Sequence, residues 1–187
     1  DIANGIAWAA SHGAKVINLS LGATGGSYPV TLCNAVQLAI TSYGAVVVAA
    51  AGNGNPPGTP TSAPTWPAAC PGAVGVAATD ASDVPGTFSN YGSPNVFVAA
   101  PGVGILTTAR GGGYTTVDGT SLAAPHASGL AALLFSQDPL RTATVVETIL
   151  AETAGKVGPS AYGADPYSTC GTCTDGTMSS KRSLASF

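Results

Sequence analysis

Ala45-Val46-Val47-Val48-Ala49-Ala50 is an unbroken apolar run between Gly44 and the turn Ala51-Gly52-Asn53-Gly54. No polar residue alternates within it, so the spacing predicts a strand covered on both faces. Before it, Val30, Val36, Ala39 and Ile40 recur at helical spacing, and Gly44 closes that helix. Val16-Ile17-Asn18-Leu19-Ser20-Leu21 reads as another buried strand ending at Gly22, followed by a polar loop from Ala23 to Tyr28. Ile2, Ile6, Ala9 and Ala10 mark a first helix that stops at Gly13. Strand, helix and strand with short connections imply parallel pairing through a right-handed crossover, hence an α/β fold. Ligands in such sheets bind beyond the carboxyl ends of the strands. Ser20-Leu21-Gly22 and Ala51-Gly52-Asn53-Gly54 leave the strands at that rim.

Composition narrows the function classes. The chain has 187 residues, 45% of them hydrophobic and only 8% charged, enough for one buried core. A net charge of −3 with six Lys and Arg, scattered singly apart from Lys181-Arg182, argues against a nucleic-acid footprint. The apolar run from Ala45 to Ala51 is far too short to span a bilayer, and no basic stretch precedes an apolar one near Asp1. Neither a membrane span nor a signal peptide is therefore expected within this sequence, and its opening reads as the middle of a domain.

Further along, Gly54 to Pro64 is a Pro/Gly/Thr-rich surface loop, and Val74 to Thr79 is a third strand. Ile105 to Thr108 and Tyr114 to Val117 read as a hairpin across Gly111-Gly112-Gly113. The hairpin leads into Gly119-Thr120-Ser121-Leu122-Ala123-Ala124-Pro125-His126-Ala127-Ser128-Gly129, where a glycine turn delivers a serine to the start of an apolar helix. Unpaired N–H groups and the positive helix end suit an attacking oxygen and the oxyanion it creates. The plain alternative is that Thr120 or Ser121 is a helix N-cap. Ala123 stands where the esterase elbow G-x-S-x-G requires glycine, and no S-x-x-K occurs. After Asp138-Pro139 a shorter helix carries Val145, Val146, Ile149 and Leu150, expected on the outside of the sheet. Residues 1–155 are read as domain and 156–187 as a Gly/Ser/Thr-rich tail.

The serine string closely resembles the active-serine segment of the subtilisin-like serine proteases (subtilases), G-T-S-M-A-x-P-H-x-x-G, with Leu122 at the methionine. Ser20-Leu21-Gly22, Ala50-Ala51-Gly52-Asn53, Thr87-Phe88-Ser89-Asn90-Tyr91-Gly92 and Val96 to Gly102 resemble further family segments over about four-fifths of the chain. The resemblance implies a three-layer fold, a mostly parallel sheet flanked by helices, incomplete at its N-terminus. It implies a serine endopeptidase in which Ser121 attacks the peptide carbonyl and Asn53 helps to hold the oxyanion. Ser20, Leu21, Gly22, Ala50, Ala51 and Gly52 would line the substrate cleft, with Ser20-Leu21-Gly22 as an extended edge for substrate backbone. Thr65 would lie near the floor of the first specificity pocket, and Trp66–Pro67 would be cis. Asn53 has its own plain alternative, since Gly-Asn-Gly is a good turn by itself.

The family's aspartate motif (D-T-G or D-S-G) and histidine motif (H-G-T) do not occur here. His126 lies five positions along the serine's own helix, about 140° round at about 100° per residue. His12 falls at the end of the first helix, on the wrong edge of the sheet, and Asp118 reads as a turn residue. The expected partners are thus a polypeptide substrate and a missing N-terminal part of the same domain. Without that part the serine lacks a base, and the chain alone is expected to be inert and marginally stable. No cofactor is expected in this chain. Calcium remains possible in the complete domain, although Phe97 replaces an aspartate that helps bind it in some members.

Cys33 and Cys70 resemble a disulfide pair of some secreted bacterial subtilases, which implies a secreted protein; two buried free thiols are the alternative. Cys170-Gly171-Thr172-Cys173 has redox-motif spacing but sits in the polar tail, and a zinc site needs two more ligands, so a local disulfide is expected. A subtilase-like scaffold that binds peptides without cutting them, and a hydrolase with a reassigned base, are the competing functions.

Overall fold

The computed structural model describes residues 1–156 and 182–183. Helix α1 (Ile2–Ser11) leads to strand β1 (Val16–Leu19), a short β2 (Ala23–Thr24), helix α2 (Val30–Thr41) and strand β3 (Val46–Ala50). Then come β4 (Thr65–Trp66), β5 (Val74–Thr79), β6 (Val98–Pro101) and the hairpin β7 (Ile105–Thr108) and β8 (Tyr114–Val117). Helices α3 (Thr120–Gln137) and α4 (Ala143–Thr153) precede β9 (Gly155–Lys156), and β10 (Arg182–Ser183) closes the described chain.

The main sheet runs β1-β3-β5-β6-β10-β9. Its first four strands pair in parallel, with Ile17 opposite Val47, Ala49 opposite Gly75, and Ala77 opposite Ala99. The apolar run that predicts a doubly covered strand does so for a physical reason visible in β3. Val46, Val48 and Ala50 face a core formed with α3 and α4. Val47 and Ala49 face the opposite core, formed with α1 and α2. Alternating side chains thus feed two cores, so neither face can carry a polar residue. The result is the expected three-layer α/β arrangement. On the α3 side the contact is made largely by alanines: Ala123, Ala124, Ala127 and Ala131 of the helix meet a sheet surface that includes Ala78 and Ala100.

Two expectations need correction. The strand predicted over Val16–Leu21 ends at Leu19, leaving Ser20-Leu21-Gly22 exposed and outside any strand. The polar loop from Ala23 to Tyr28 contains a strand instead: Ala23 and Thr24 pair antiparallel with Trp66 and Thr65. Two residues carry no periodicity to read, and the pairing is made by a partner some 40 positions away. Helix α4 lies on a face of the sheet as expected, beside α3, with Val146 and Leu150 fully buried in the same core.

The Cys33–Cys70 disulfide is present and ties α2 to the segment before β5, with the two cysteines 37 positions apart. The Trp66–Pro67 bond is cis. Cys170 and Cys173 lie outside the described residues. Among the described residues no helix is long and apolar enough to cross a membrane.

Candidate active site

Ser121 stands in the first turn of α3, just past the carboxyl ends of β1 and β3. Neither Thr120 nor Ser121 is the N-cap. That position falls to Gly119, which offers no side-chain cap. The Thr120 hydroxyl turns instead to the β3 loop, accepting from the Gly52 N–H at 3.0 Å and donating to Asn53 Oδ1 at 2.8 Å. The Thr120 N–H donates to the same oxygen at 2.9 Å. Two donors on Oδ1 fix the orientation of the amide and leave Asn53 Nδ2 beside Gly119. The Ser121 N–H is one of the first-turn donors that no helical carbonyl can reach. Asn53 Nδ2 and the Ser121 nitrogen thus both stand beside Gly119. A Cβ at Gly119 would lie 3.4 Å from Asn53 Nδ2 and 3.7 Å from the Ser121 nitrogen, so the missing side chain leaves that space open.

A second attachment holds the serine from β1. Pro125 lies inside α3 and has no N–H, so the Ser121 carbonyl has no partner four residues on. The Ser20 hydroxyl donates to it at 2.7 Å. Ser20 in turn accepts from Asn18 Nδ2 at 2.8 Å, and Asn18 Oδ1 accepts from the Ser128 hydroxyl at 2.8 Å. Asn18 and Ser128 were not singled out by sequence reading, and nothing in their spacing marks them.

These loops border an open cavity of about 370 Å³, lined by Leu21, Gly22, Ala50, Gly52, Asn53, Thr65 and Ser121 of the expected residues. Thr24, Gly54, Asn55, Pro57 and Thr120 complete the wall, which carries no charged side chain. Ser20 stands beside the cavity, and Ala51 is buried beneath it, with its N–H donating to Val76 and its carbonyl accepting from Asn90. Thr65 is 1% exposed, at the base of the wall.

Two fully buried asparagines shape that base, and sequence reading gave neither a role. Asn90 Oδ1 accepts from the N–H groups of Gly54 and Thr61, while its Nδ2 donates to the Ala51 carbonyl and to Thr65 Oγ1. Asn95 Oδ1 accepts from the Thr65 N–H at 2.7 Å, and its Nδ2 donates to the Ala63 carbonyl at 2.9 Å. A buried amide with all its partners fixes several loops at once. The glycine at 52 serves the same arrangement: its φ is +102°, and a Cβ there would run into the Asn90 amide.

The two histidines take structural roles. His126 Nδ1 donates to the Leu122 carbonyl at 2.8 Å, one turn back along α3. His12 Nδ1 donates to the Trp8 carbonyl at 2.8 Å and its ring stacks on Trp8. Asp118 Oδ1 accepts from the Gly104 N–H, as a turn residue would. Among the described residues, no side chain stands as a hydrogen-bonded base to the Ser121 hydroxyl. Phe97 packs its ring against the core, so its side chain offers no oxygen to a cation there. Among the described residues no group of three His, Cys, Asp or Glu gathers to hold a metal.

Comparison with known proteins agrees with this geometry. The family model of the subtilase family (peptidase S8) matches residues 1–179. Thermitase of Thermoactinomyces vulgaris is 45% identical over 160 residues, 83% of this chain and 52% of its own length. Subtilisin E of Bacillus subtilis (strain 168) is 44% identical over 161 residues, 86% of this chain and 41% of its own. A crystal structure of a cold-adapted subtilisin-like serine proteinase superposes with a TM-score of 0.76 at 32% identity, over 99% of this chain and 60% of that one. The chain therefore spans about half the length of the curated relatives it matches. With the serine turn, the asparagine loop and the layered sheet all in place, this chain belongs to the subtilase family of serine proteases.

Proposed function

We propose that this chain is the serine-bearing part of a secreted, subtilisin-type endopeptidase. The observation that carries the reading is that Asn53 Nδ2 and the Ser121 N–H stand together beside Gly119, at the rim of the uncharged cleft that Ser121 lines. In the reaction, Ser121 Oγ attacks the carbonyl carbon of a substrate peptide bond while a histidine base takes its proton. The carbonyl oxygen becomes an oxyanion that these two donors would hold. The tetrahedral intermediate expels the amine, which receives the proton from the histidine, and leaves an ester on Ser121. Water then repeats the sequence, releasing the acid and restoring the hydroxyl.

The histidine and its orienting aspartate come, in this reading, from polypeptide preceding Asp1. The outer edge of β1, which among the described residues pairs with β3 alone, is the natural seat for it. The isolated chain then lacks a base, and its serine is a weak nucleophile. The Cys33–Cys70 disulfide supports an oxidising, extracellular location.

The test is fluorophosphonate labelling of Ser121 in two proteins: this chain alone, and this chain preceded by its natural upstream polypeptide. Labelling and casein cleavage are expected in the longer protein, lost in Ser121→Ala, and absent from the short one. A longer protein that carries the family's aspartate and histidine motifs yet binds peptides without labelling would make the chain part of a non-catalytic scaffold.

A further inference from the structure

The base of the cavity contains a hydroxyl pair whose hydrogens do not balance. Thr24 Oγ1 and Thr65 Oγ1 lie 3.0 Å apart, and both threonines line the cavity that Ser121 borders. Asn90 Nδ2 donates to Thr65 Oγ1 at 2.9 Å, with Thr24 Oγ1 at 3.3 Å. The direction of that donation is fixed, because Asn90 Oδ1 already accepts from Gly54 and Thr61. The two hydroxyls own two hydrogens, and the bond between them consumes one. If Thr65 donates to Thr24, the Thr24 hydrogen is left over; if Thr24 donates to Thr65, the Thr65 hydrogen is. Among the described residues neither hydroxyl has a further acceptor. In both arrangements the pocket base presents one surplus O–H donor. A polar hydrogen in a half-closed site is satisfied by solvent or by a ligand, and a ligand that removes the solvent without replacing its acceptor loses affinity.

The remaining wall defines what kind of acceptor fits. No charged side chain lines the cavity, so a carboxylate would lose its hydration with no cation to meet it. An ammonium or guanidinium tip has no acceptor capacity at all. A neutral side chain ending in a carbonyl oxygen meets the donor without a charge penalty. We propose that the Thr24–Thr65 pair makes this pocket selective for a substrate residue with a neutral, acceptor-bearing tip, glutamine above its apolar counterpart methionine. The inference rests on the reading of this cavity as the receptor for the substrate side chain next to the bond cut at Ser121.

The experiment measures binding, so that it does not depend on turnover. The full-length protein carrying Ser121→Ala is titrated with acetylated tripeptide amides identical except for a last residue of glutamine, methionine, glutamate or lysine. Glutamine should bind about five- to tenfold tighter than methionine, the value of one net hydrogen bond, with glutamate and lysine no better than methionine. Removing either hydroxyl alone, in Thr24→Val or Thr65→Val, still leaves one hydroxyl with one free hydrogen, so each single variant keeps a preference for glutamine. Removing both should reduce the preference to less than about twofold, whereas Thr24→Ser with Thr65→Ser should retain it. Equal affinity for glutamine and methionine in the starting protein overturns the proposal without any pocket variant. So does a folded double valine variant that still prefers glutamine. A glutamine preference in binding without peptide cleavage by the unsubstituted protein would leave the pocket assignment standing and remove the protease reading instead.

Discussion

The Ser20 hydroxyl donates to the Ser121 carbonyl at 2.7 Å, filling the place that Pro125 leaves empty in the helix ladder. The carbonyl that a helix would ordinarily satisfy within itself is satisfied from another strand's end, and β1 thereby fixes the first turn of α3. Ser20→Ala should destabilise the protein by about 0.5–1.5 kcal/mol, the net value of one such bond. Pro125→Ala restores an N–H four residues after Ser121. In its background the effect of Ser20→Ala should shrink, a coupling that urea unfolding of the four members of a double-mutant cycle will measure.

If Asn53 holds the oxyanion as proposed, Asn53→Ala should lower kcat of the longer protein by about 10²–10³ with little change in KM. That is the magnitude observed for the corresponding donor loss in a subtilisin, a relative of this chain.

Gly119 offers a separate test of the same space. Its φ of 161° is extended backbone open to any residue, and an added Cβ would make ordinary contacts with its neighbours. Gly119→Ala should therefore melt within a few degrees of the parent. The methyl group would stand between the two donors, and kcat/KM should fall by more than about tenfold, since oriented geometry is what such sites contribute.

Glu147 on α4 has a carboxyl oxygen buried without a hydrogen-bond partner, and burial pushes its pKa from 4.5 up to about 7. Below pH 4.5 both folded and unfolded chains hold the proton. Between pH 4.5 and 7 the unfolded chain releases it first, so stability falls as pH rises through that window and levels off above it. Glu147→Gln should abolish this slope. At pH ~8 it should stabilise by ~1 kcal/mol, a value well below full linkage because solvent screens a half-buried group. Thermal unfolding of both proteins from mildly acidic to mildly alkaline pH measures the difference.

Replacing Cys33 and Cys70 by serine opens a loop spanning 37 positions. Loop-closure entropy puts the loss at about 4 kcal/mol. The midpoint of urea unfolding should fall accordingly, with the serine turn itself unaltered.

What the sequence disclosed follows from how each signal is encoded. β3 was legible because a strand feeding two cores must be apolar at every position, and Ser121 because its turn, helix start and neighbours lie in one contiguous string. The pairing of Ala23 with Trp66 was not, since two-residue strands carry no period and take their conformation from a distant partner. Asn90 stood inside a quoted turn, yet its role depends on five groups drawn from four separate segments, a convergence that no local pattern announces. Ser20 was placed on the cleft by resemblance. Its bond to Ser121 follows from Pro125, a residue whose missing N–H is visible in sequence but whose replacement donor is not.

The alanines between α3 and the sheet give this site an unusual vulnerability to mutational drift. Ala123, Ala124, Ala127 and Ala131 set the distance between helix and strands by being small, so every heavier replacement acts as a shim under the nucleophile. Overpacking of that kind costs about 1–3 kcal/mol, which a folded protein can survive. A displacement of about 1 Å at the reacting oxygen costs about 10²-fold in rate. Along this seam, the activity proposed for Ser121 would be extinguished while the fold persisted, through residues that never line the cleft.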